Sequence, residues 1–180
     1  MSTGTETGRG SPRAVPISRR RSSSWLSERS PAGNSWPCTG GSFRSSFRAH
    51  RCLIVADGFY EWQARDGKKQ PYYIRLKSGQ PFGIGGLWDR WDKEGEPIKS
   101  CTILTCDANE PMMAIHERML VVIPPESFGD WLDPGEHNVD KLSRLLRPFH
   151  PDEMTAYPVS RLVNNVRQDS AKCVEPLEVA

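Results

Sequence analysis

The chain has 180 residues, of which 37% are hydrophobic and 26% charged, with a formal net charge of +2. That length holds one domain with its own core and leaves little room for a second. No apolar run approaches the roughly 20 residues of a membrane span and no secretory core follows the N-terminus, while five scattered Cys without a CxxC pair argue against a disulfide framework or a structural zinc site and for a reducing cytoplasm.

Residues 1 to 41 are rich in Ser, Arg, Gly and Pro and lack apolar periodicity. They cannot bury enough surface to offset the entropy of ordering, so disorder is expected there. The first 52 residues carry nine Arg against two acids, Glu6 and Glu28. Such a stretch either contacts a polyanion through counterion release or remains a solvated tail. From Ser42 the character changes. Phe43 and Phe47, with Arg44 and Arg48, fit a short helical turn. Arg51 to Val55 reads as a strand, Asp57-Gly58 as a break, and Phe59 to Ala64 as a second strand. Arg65-Asp66-Gly67-Lys68 is a hairpin signal, because Asp-Gly accepts the positive φ angles of a tight turn. Strands follow over Pro71 to Leu76, Phe82 to Trp88, Ile98 to Cys106 and Arg118 to Ile123. A short helical or irregular piece is expected over Asn109 to Ile115. Helices are expected from Pro124 to about Leu132 and over Asp140 to Leu146, with strand-like pieces at Ala156 to Val159 and Cys173 to Leu177. Successive hairpins with few helices predict an α+β domain over residues 42 to 180, mainly an antiparallel sheet curled toward a barrel with helices at its rim.

Three places in this pattern can carry chemistry. Period-2 geometry puts Phe59, Glu61 and Gln63 on one face of their strand and Tyr60 and Trp62 on the other. Among aromatic neighbours the Glu61 carboxyl is partly desolvated, which suits a general acid or proton shuttle; the alternative is an exposed Glu paired with a cross-strand cation such as Arg75. His116 stands just before a strand, at an element end where functional side chains project, or is a hydrogen-bonded structural residue. Arg118 beside it can grip a phosphate in a bidentate way or pair with a surface acid. Pro158-Val-Ser-Arg-Leu-Val-Asn-Asn165 reads as a polar wall for sugar and phosphate or as a satisfied loop. Trp62, Trp88 and Trp91 fit stacking platforms for unpaired bases or core residues. Cys101 and Cys106 with His116 match no usual metal knuckle and read as buried small hydrophobes.

An ordered series of words gives these residues a context. It runs Phe43-Arg-Ser-Ser-Phe-Arg48, Arg51-Cys-Leu-Ile, Ala56-Asp-Gly-Phe-Tyr-Glu-Trp62, Gln70-Pro-Tyr-Tyr and Ile84-Gly-Gly-Leu-Trp88. It continues through Thr102-Ile-Leu-Thr105, Ala108-Asn109, Ile115-His-Glu-Arg-Met119, Trp131-Leu132 and Pro158 to Asn165, ending at Glu175-Pro-Leu177. In that order the words resemble the SOS-response-associated peptidase (SRAP) family, whose members capture abasic sites in single-stranded DNA. The resemblance implies a Cys at position 2, exposed by removal of the initiator Met. Its amine and thiol condense with the ring-opened abasic sugar to a stable thiazolidine crosslink. It also implies that Glu61 and His116 assist proton transfer and ring opening, with Trp62, Arg118, Arg44, Arg48 and Asn165 on the DNA-binding surface. The family's peptidase activity would be self-processing of its own N-terminus, and no Ser/His/Asp order or metal motif of a conventional peptidase is visible.

The resemblance does not extend upstream of Ser42. Position 2 is Ser2, and no Asn-Ala-Arg word precedes Ser42. A shifted reading frame or a misplaced start is the expected cause, since the codons of Glu28-Arg29-Ser30, moved by one base, can encode Asn-Ala-Arg. The chain as written is therefore expected to lack the nucleophile. Its function is expected to be abasic-site processing in the DNA damage response, with non-covalent binding of single-stranded DNA by a pseudoenzyme as the alternative. It is expected to act as a monomer in the cytoplasm, associated with the nucleoid, with no membrane contact, metal or cofactor.

Overall fold

The computed structural model describes residues 41–92 and 95–178. The disordered segment expected over residues 1–41 lies outside the described residues apart from Gly41, and Ser2 and Cys38 lie outside them too. The described chain runs α1 (Gly41–Ala49), β1 (Arg51–Ala56), β2 (Phe59–Arg65), β3 (Lys68–Leu76), β4 (Phe82–Trp91), β5 (Ile98–Ile103) and β6 (Thr105–Asp107). It continues through α2 (Glu110–Met113), β7 (Arg118–Leu120), β8 (Val122–Ile123), α3 (Phe128–Leu132), α4 (Val139–Ser143) and β9 (Met154–Pro158), with short 3-10 turns between. This is the α+β class with antiparallel pairing throughout. Among the described residues the sheets stay open and none closes into a barrel.

The long central strand β4 pairs with β1, β5 and β8, while β2, β3 and β9 form a second sheet and β6 and β7 a two-stranded ribbon. The two larger sheets meet over one core. β4 contributes Phe82, Ile84 and Leu87, the second sheet Phe59, Ile74 and Met154, and the helices Met112, Trp131 and Leu142, all buried. A satellite cluster of Tyr60, Tyr73, Val159 and Cys173 lies on the outer face of the second sheet. The β2–β3 hairpin turns on Asp66 and Gly67, whose φ angles of 50° and 71° are those a two-residue turn requires. Gly58 starts that hairpin for a different reason: a Cβ there would stand 2.3 Å from the Tyr73 ring, which lies over its backbone.

Two expected strands are each broken, at Leu104 and at Val121, and the cause is one junction. The Gly85 N–H donates to the Val121 carbonyl (2.8 Å), the Val121 N–H to the Leu104 carbonyl (3.0 Å) and the Leu104 N–H to the Gly85 carbonyl (2.9 Å). This ring of three backbone bonds satisfies three segments at once and turns β5 into β6 and β7 into β8. The helix expected from Pro124 to Leu132 is a 3-10 turn, Pro125–Ser127, followed by α3. The helix expected over Asp140 to Leu146 starts one residue earlier and is regular only over Val139–Ser143. Cys173 to Leu177 is not a strand. A 3-10 turn, Ala171–Cys173, precedes a single bridge between Val159 and Pro176, and the Tyr60 and Tyr157 hydroxyls hold this segment through the carbonyls of Cys173 and Val174.

Arg51 is the polar hinge of the fold. It is 7% exposed, and its guanidinium donates to the carbonyls of Trp131 (2.7 Å), Phe47 (2.7 Å), Arg48, Asp133 and Glu136 (3.1 Å). It thereby supplies donors to the carbonyl ends of both α1 and α3, which lack intrahelical partners. Burial lowers its pKa from the usual value, against the pull of Asp133 and Glu136.

Burial also sets an alkaline limit. The Cys106 thiol is pushed up to about 12, chiefly by burial, and the Tyr73 phenol to about 12 by burial and by Asp57. Both fold in the neutral form, whereas the unfolded chain ionises near the usual values of 9.0 and 10.0. The stability these two groups contribute is therefore full below about pH 9 and falls above it, first through Cys106 and from about pH 10 through Tyr73 as well, until about pH 12. Urea midpoints followed by circular dichroism will be level up to about pH 9 and decline beyond it; a level midpoint to about pH 11 contradicts this account. Among the described residues no helix is long and apolar enough to cross a membrane.

Candidate functional site

The site begins with strand alternation on β2. Phe59, at the start of the inward face, is in the core, and the same face becomes polar toward the hairpin through Glu61 and Gln63. The β3 residues opposite are Ile74, Tyr72 and Gln70. Glu61 is half-buried and faces Tyr72 in register. The alternative of a Glu61–Arg75 pair fails on geometry. Arg75 is at an odd position of β3, on the opposite face, where its guanidinium lies 5.9 Å from the Tyr157 ring centroid.

Gln63 joins this face to the segment carrying His116. Its amide donates to the Ala114 carbonyl at 2.7 Å and its side-chain oxygen accepts from the Tyr72 hydroxyl at 3.3 Å. The two partners fix the amide's orientation. Ala114 follows α2, whose start is capped by the buried Asn109 through a bond from the Met112 N–H. His116 stands two residues beyond Ala114, and Glu61 two residues before Gln63. One hydrogen bond thus holds the His116 segment against the Glu61 face of the sheet.

His116 is half-buried, and its ring is held by the backbone of Arg118. Nδ1 lies 3.0 Å from the Arg118 N–H and 3.1 Å from the Arg118 carbonyl. An unprotonated Nδ1 accepts from the first, and a protonated Nδ1 donates to the second. The ring therefore keeps one orientation in either charge state and leaves proton chemistry to Nε2. The Arg118 side chain anchors that backbone. Its guanidinium donates to Asp107 Oδ1 (2.9 Å), the Thr105 carbonyl (2.7 Å) and Thr105 Oγ1 (3.1 Å) across the β6–β7 ribbon.

The other residues singled out in the sequence are dispersed. Trp62 is on the outer face of β2, and its indole N–H donates to Asn164 Oδ1 at 2.8 Å, tying the 3-10 turn Arg161–Asn164 to the sheet. Asn165 is exposed and its Oδ1 accepts from the Arg167 N–H. Asn164, rather than Asn165, is the amide that reaches the sheet. Arg44 and Arg48 are exposed on α1, which packs through Phe47 on Trp131 and belongs with β1 and β4 rather than with the Glu61 sheet. Trp88 stacks on His50 with centroids 4.4 Å apart, and Trp91 is exposed opposite Ile98. Cys106 is buried as expected, but Cys101 is exposed because it lies on the outer strand β5. Among the described residues no three His, Cys, Asp or Glu converge as metal ligands. Alternation along β2 places Gln63 on the Glu61 face, whereas Tyr72 and Asn164 carry no individual mark in the sequence and enter through the observed register and the Trp62 bond.

Comparison with known proteins bears on this arrangement. The family model described as SOS response associated peptidase (SRAP) matches residues 38–166. The chain is 43% identical over 136 residues to the abasic site processing protein YoqW of Bacillus subtilis, an alignment covering 74% of this chain and 61% of that protein. It is 35% identical over 153 residues to the abasic site processing protein HMCES of Gallus gallus, covering 73% of this chain and 45% of the relative. A crystal structure of a Bacteroides thetaiotaomicron protein superposes with a TM-score of 0.72 at 29% identity, over 78% of this chain and 62% of that one. A Bordetella bronchiseptica protein superposes at 0.61 with 33% identity, over 68% and 61%. The chain thus spans less than two thirds of the length of these relatives.

Proposed function

The chain belongs to the SOS response associated peptidase family, and from that premise we propose that it recognises abasic sites in single-stranded DNA and opens the abasic sugar. The observation that carries the reading is the Gln63–Ala114 hydrogen bond, which joins the Glu61 face to the His116 segment. In the proposed step the Glu61 carboxylate takes the proton of the anomeric hydroxyl. The bond between the anomeric carbon and the ring oxygen breaks as the aldehyde carbonyl forms. The cationic His116 gives its Nε2 proton to the departing ring oxygen and becomes neutral, with Nδ1–H on the Arg118 carbonyl. Proton exchange between the two side chains then restores the starting state. Such acid–base pairs contribute roughly 100-fold or more to a rate. Trp62, Arg118, Arg44, Arg48 and Asn165 belong in this reading to the DNA surface, though Arg118 acts first by holding the His116 ring. In this reading residues 42–180 are an N-terminally incomplete family domain that acts as a monomer in the cytoplasm at the nucleoid.

The covalent step of the family resemblance needs an amine and a thiol on one residue. A polypeptide of this sequence offers Ser2 at that position, and a hydroxyl is a far weaker nucleophile than a thiolate at neutral pH. An aminooxy reagent that traps the open aldehyde separates ring opening from capture. We expect a polypeptide that starts Met1-Ser2 to accelerate trapping on an abasic single-stranded oligonucleotide and to leave no adduct that survives heat and SDS. Binding without acceleration would reduce the activity to non-covalent DNA binding, and a denaturation-resistant adduct would overturn the statement about Ser2.

A further inference from the structure

The proposed step depends on where His116 stands relative to Glu61, and the two are carried by separate segments. Glu61 is on β2, and His116 is in the turn between α2 and β7. We propose that Gln63 and Tyr72 are positioning residues for ring opening, which hold that turn against the Glu61 face without touching the sugar. This role rests on the functional reading above and deepens it, since it employs two side chains that the proton transfers do not use.

Three observations support it. The first is what the turn leaves undone. The Ile115 and His116 N–H groups both donate to the Met112 carbonyl at 2.9 Å, and Met112 is buried in the core. These bonds fix the shape of the turn and leave its distance from β2 to contacts made from the sheet. The Ala114 carbonyl stands at the C-terminal end of α2, where a helix leaves its last carbonyls without intrahelical donors. Gln63 Nε2 supplies a donor there at 2.7 Å.

The second is that Tyr72 orients the amide. Tyr72 stands opposite Glu61 on β3, and its hydroxyl donates across the hairpin to Gln63 Oε1 at 3.3 Å. With the amide oxygen held by the phenol and the nitrogen by the Ala114 carbonyl, a single orientation satisfies both. The third is where the effect of these bonds falls. The Gln63 bond is within reach of water, which competes for both groups and keeps its contribution to folding small. Alignment is more sensitive, because a misplacement of about 1 Å between reacting groups costs about 100-fold in rate.

Substitutions at position 63 separate the two bonds. Gln63→Lys keeps a donor for the Ala114 carbonyl and offers Tyr72 no acceptor. Gln63→Glu keeps the acceptor and, ionised, has no donor; Gln63→Leu has neither at similar size. The readout is aldehyde trapping on saturating abasic single-stranded DNA, with the half-saturating DNA concentration and the thermal midpoint measured beside it. Gln63→Leu and Gln63→Glu are expected to slow trapping about 10-fold or more, and Gln63→Lys to stay within about 3-fold of wild type. The half-saturating concentration for Gln63→Leu should change by less than about 3-fold, because no phosphate contact is lost. Tyr72→Phe keeps the ring and is expected to slow trapping about 3-fold or more. Combined with Gln63→Lys it should have no further effect, since no amide is left to orient. Residues that only support the fold would lower the thermal midpoint and leave the rate on saturating DNA unmoved. Gln63→Leu at the wild-type rate overturns the positioning role, as does Gln63→Lys as slow as Gln63→Glu, and ring opening survives either result. Tyr72→Phe at the wild-type rate overturns the part given to Tyr72. A wild-type protein that does not accelerate trapping removes ring opening itself, and the positioning role with it.

Discussion

Replacing Arg51 by Met will cost about 3–5 kcal/mol of stability, enough to unfold a marginal domain at physiological temperature. Five backbone carbonyls, two in α1, one in α3 and two in the turn that follows it, receive their donors from this one guanidinium. Met matches the aliphatic stem and fills comparable space, so the loss is of donors rather than of volume. Each carbonyl then faces burial without a partner or must rotate toward water. Arg51→Lys will recover only part of the deficit, because one ammonium carries three donors and lacks the planar fork that reaches both helix ends. Urea denaturation of the three proteins gives the ordering directly. Equal midpoints for wild type and Arg51→Met would show that the contacts are incidental.

The second large effect is on chemistry. Glu61→Gln and His116→Gln keep side-chain size and hydrogen-bonding capacity while removing the proton acceptor and the proton donor. Each is expected to slow aldehyde trapping on saturating abasic DNA by about 100-fold or more relative to wild type. Affinity for an intact single strand should change by less than about 3-fold, since neither is proposed to hold phosphate. The double variant should be little worse than either single one, because the two groups act in a single step and their effects do not add. Full acceleration in both single variants would remove acid–base catalysis from the proposal. A parallel loss of affinity and rate would recast the two residues as a binding surface.

How far this was legible in the sequence depends on the range of the interaction concerned. The Asp66-Gly67 turn and the alternation along β2 are local, and they fix the inward position of Glu61 and the end of the hairpin before any tertiary contact is considered. The breaks at Leu104 and Val121 were invisible, because they arise where three separate segments exchange backbone bonds at Gly85. Apolar runs such as Ile98 to Cys106 carry no mark of such a junction. The same holds for the site. The word Ile115-His-Glu-Arg-Met119 points to a residue with chemistry, but the element it meets is settled by the Gln63–Ala114 bond.

The grip of Arg51 on five carbonyls, and of Tyr60 and Tyr157 on those of Cys173 and Val174, has a consequence for how the domain evolves. Every residue offers a carbonyl, so these bonds put no demand on the identity of the gripped residues as long as the chain keeps its path, and where such a position is fixed, as at Trp131, the cause is burial. The gripping side chains have no such latitude. In a large set of related sequences these contacts would appear as solitary invariant columns without co-varying partners. Methods that infer proximity from paired substitutions would pass over the bonds joining α1 to α3 and the last segment to the sheet, although these bonds span much of the chain.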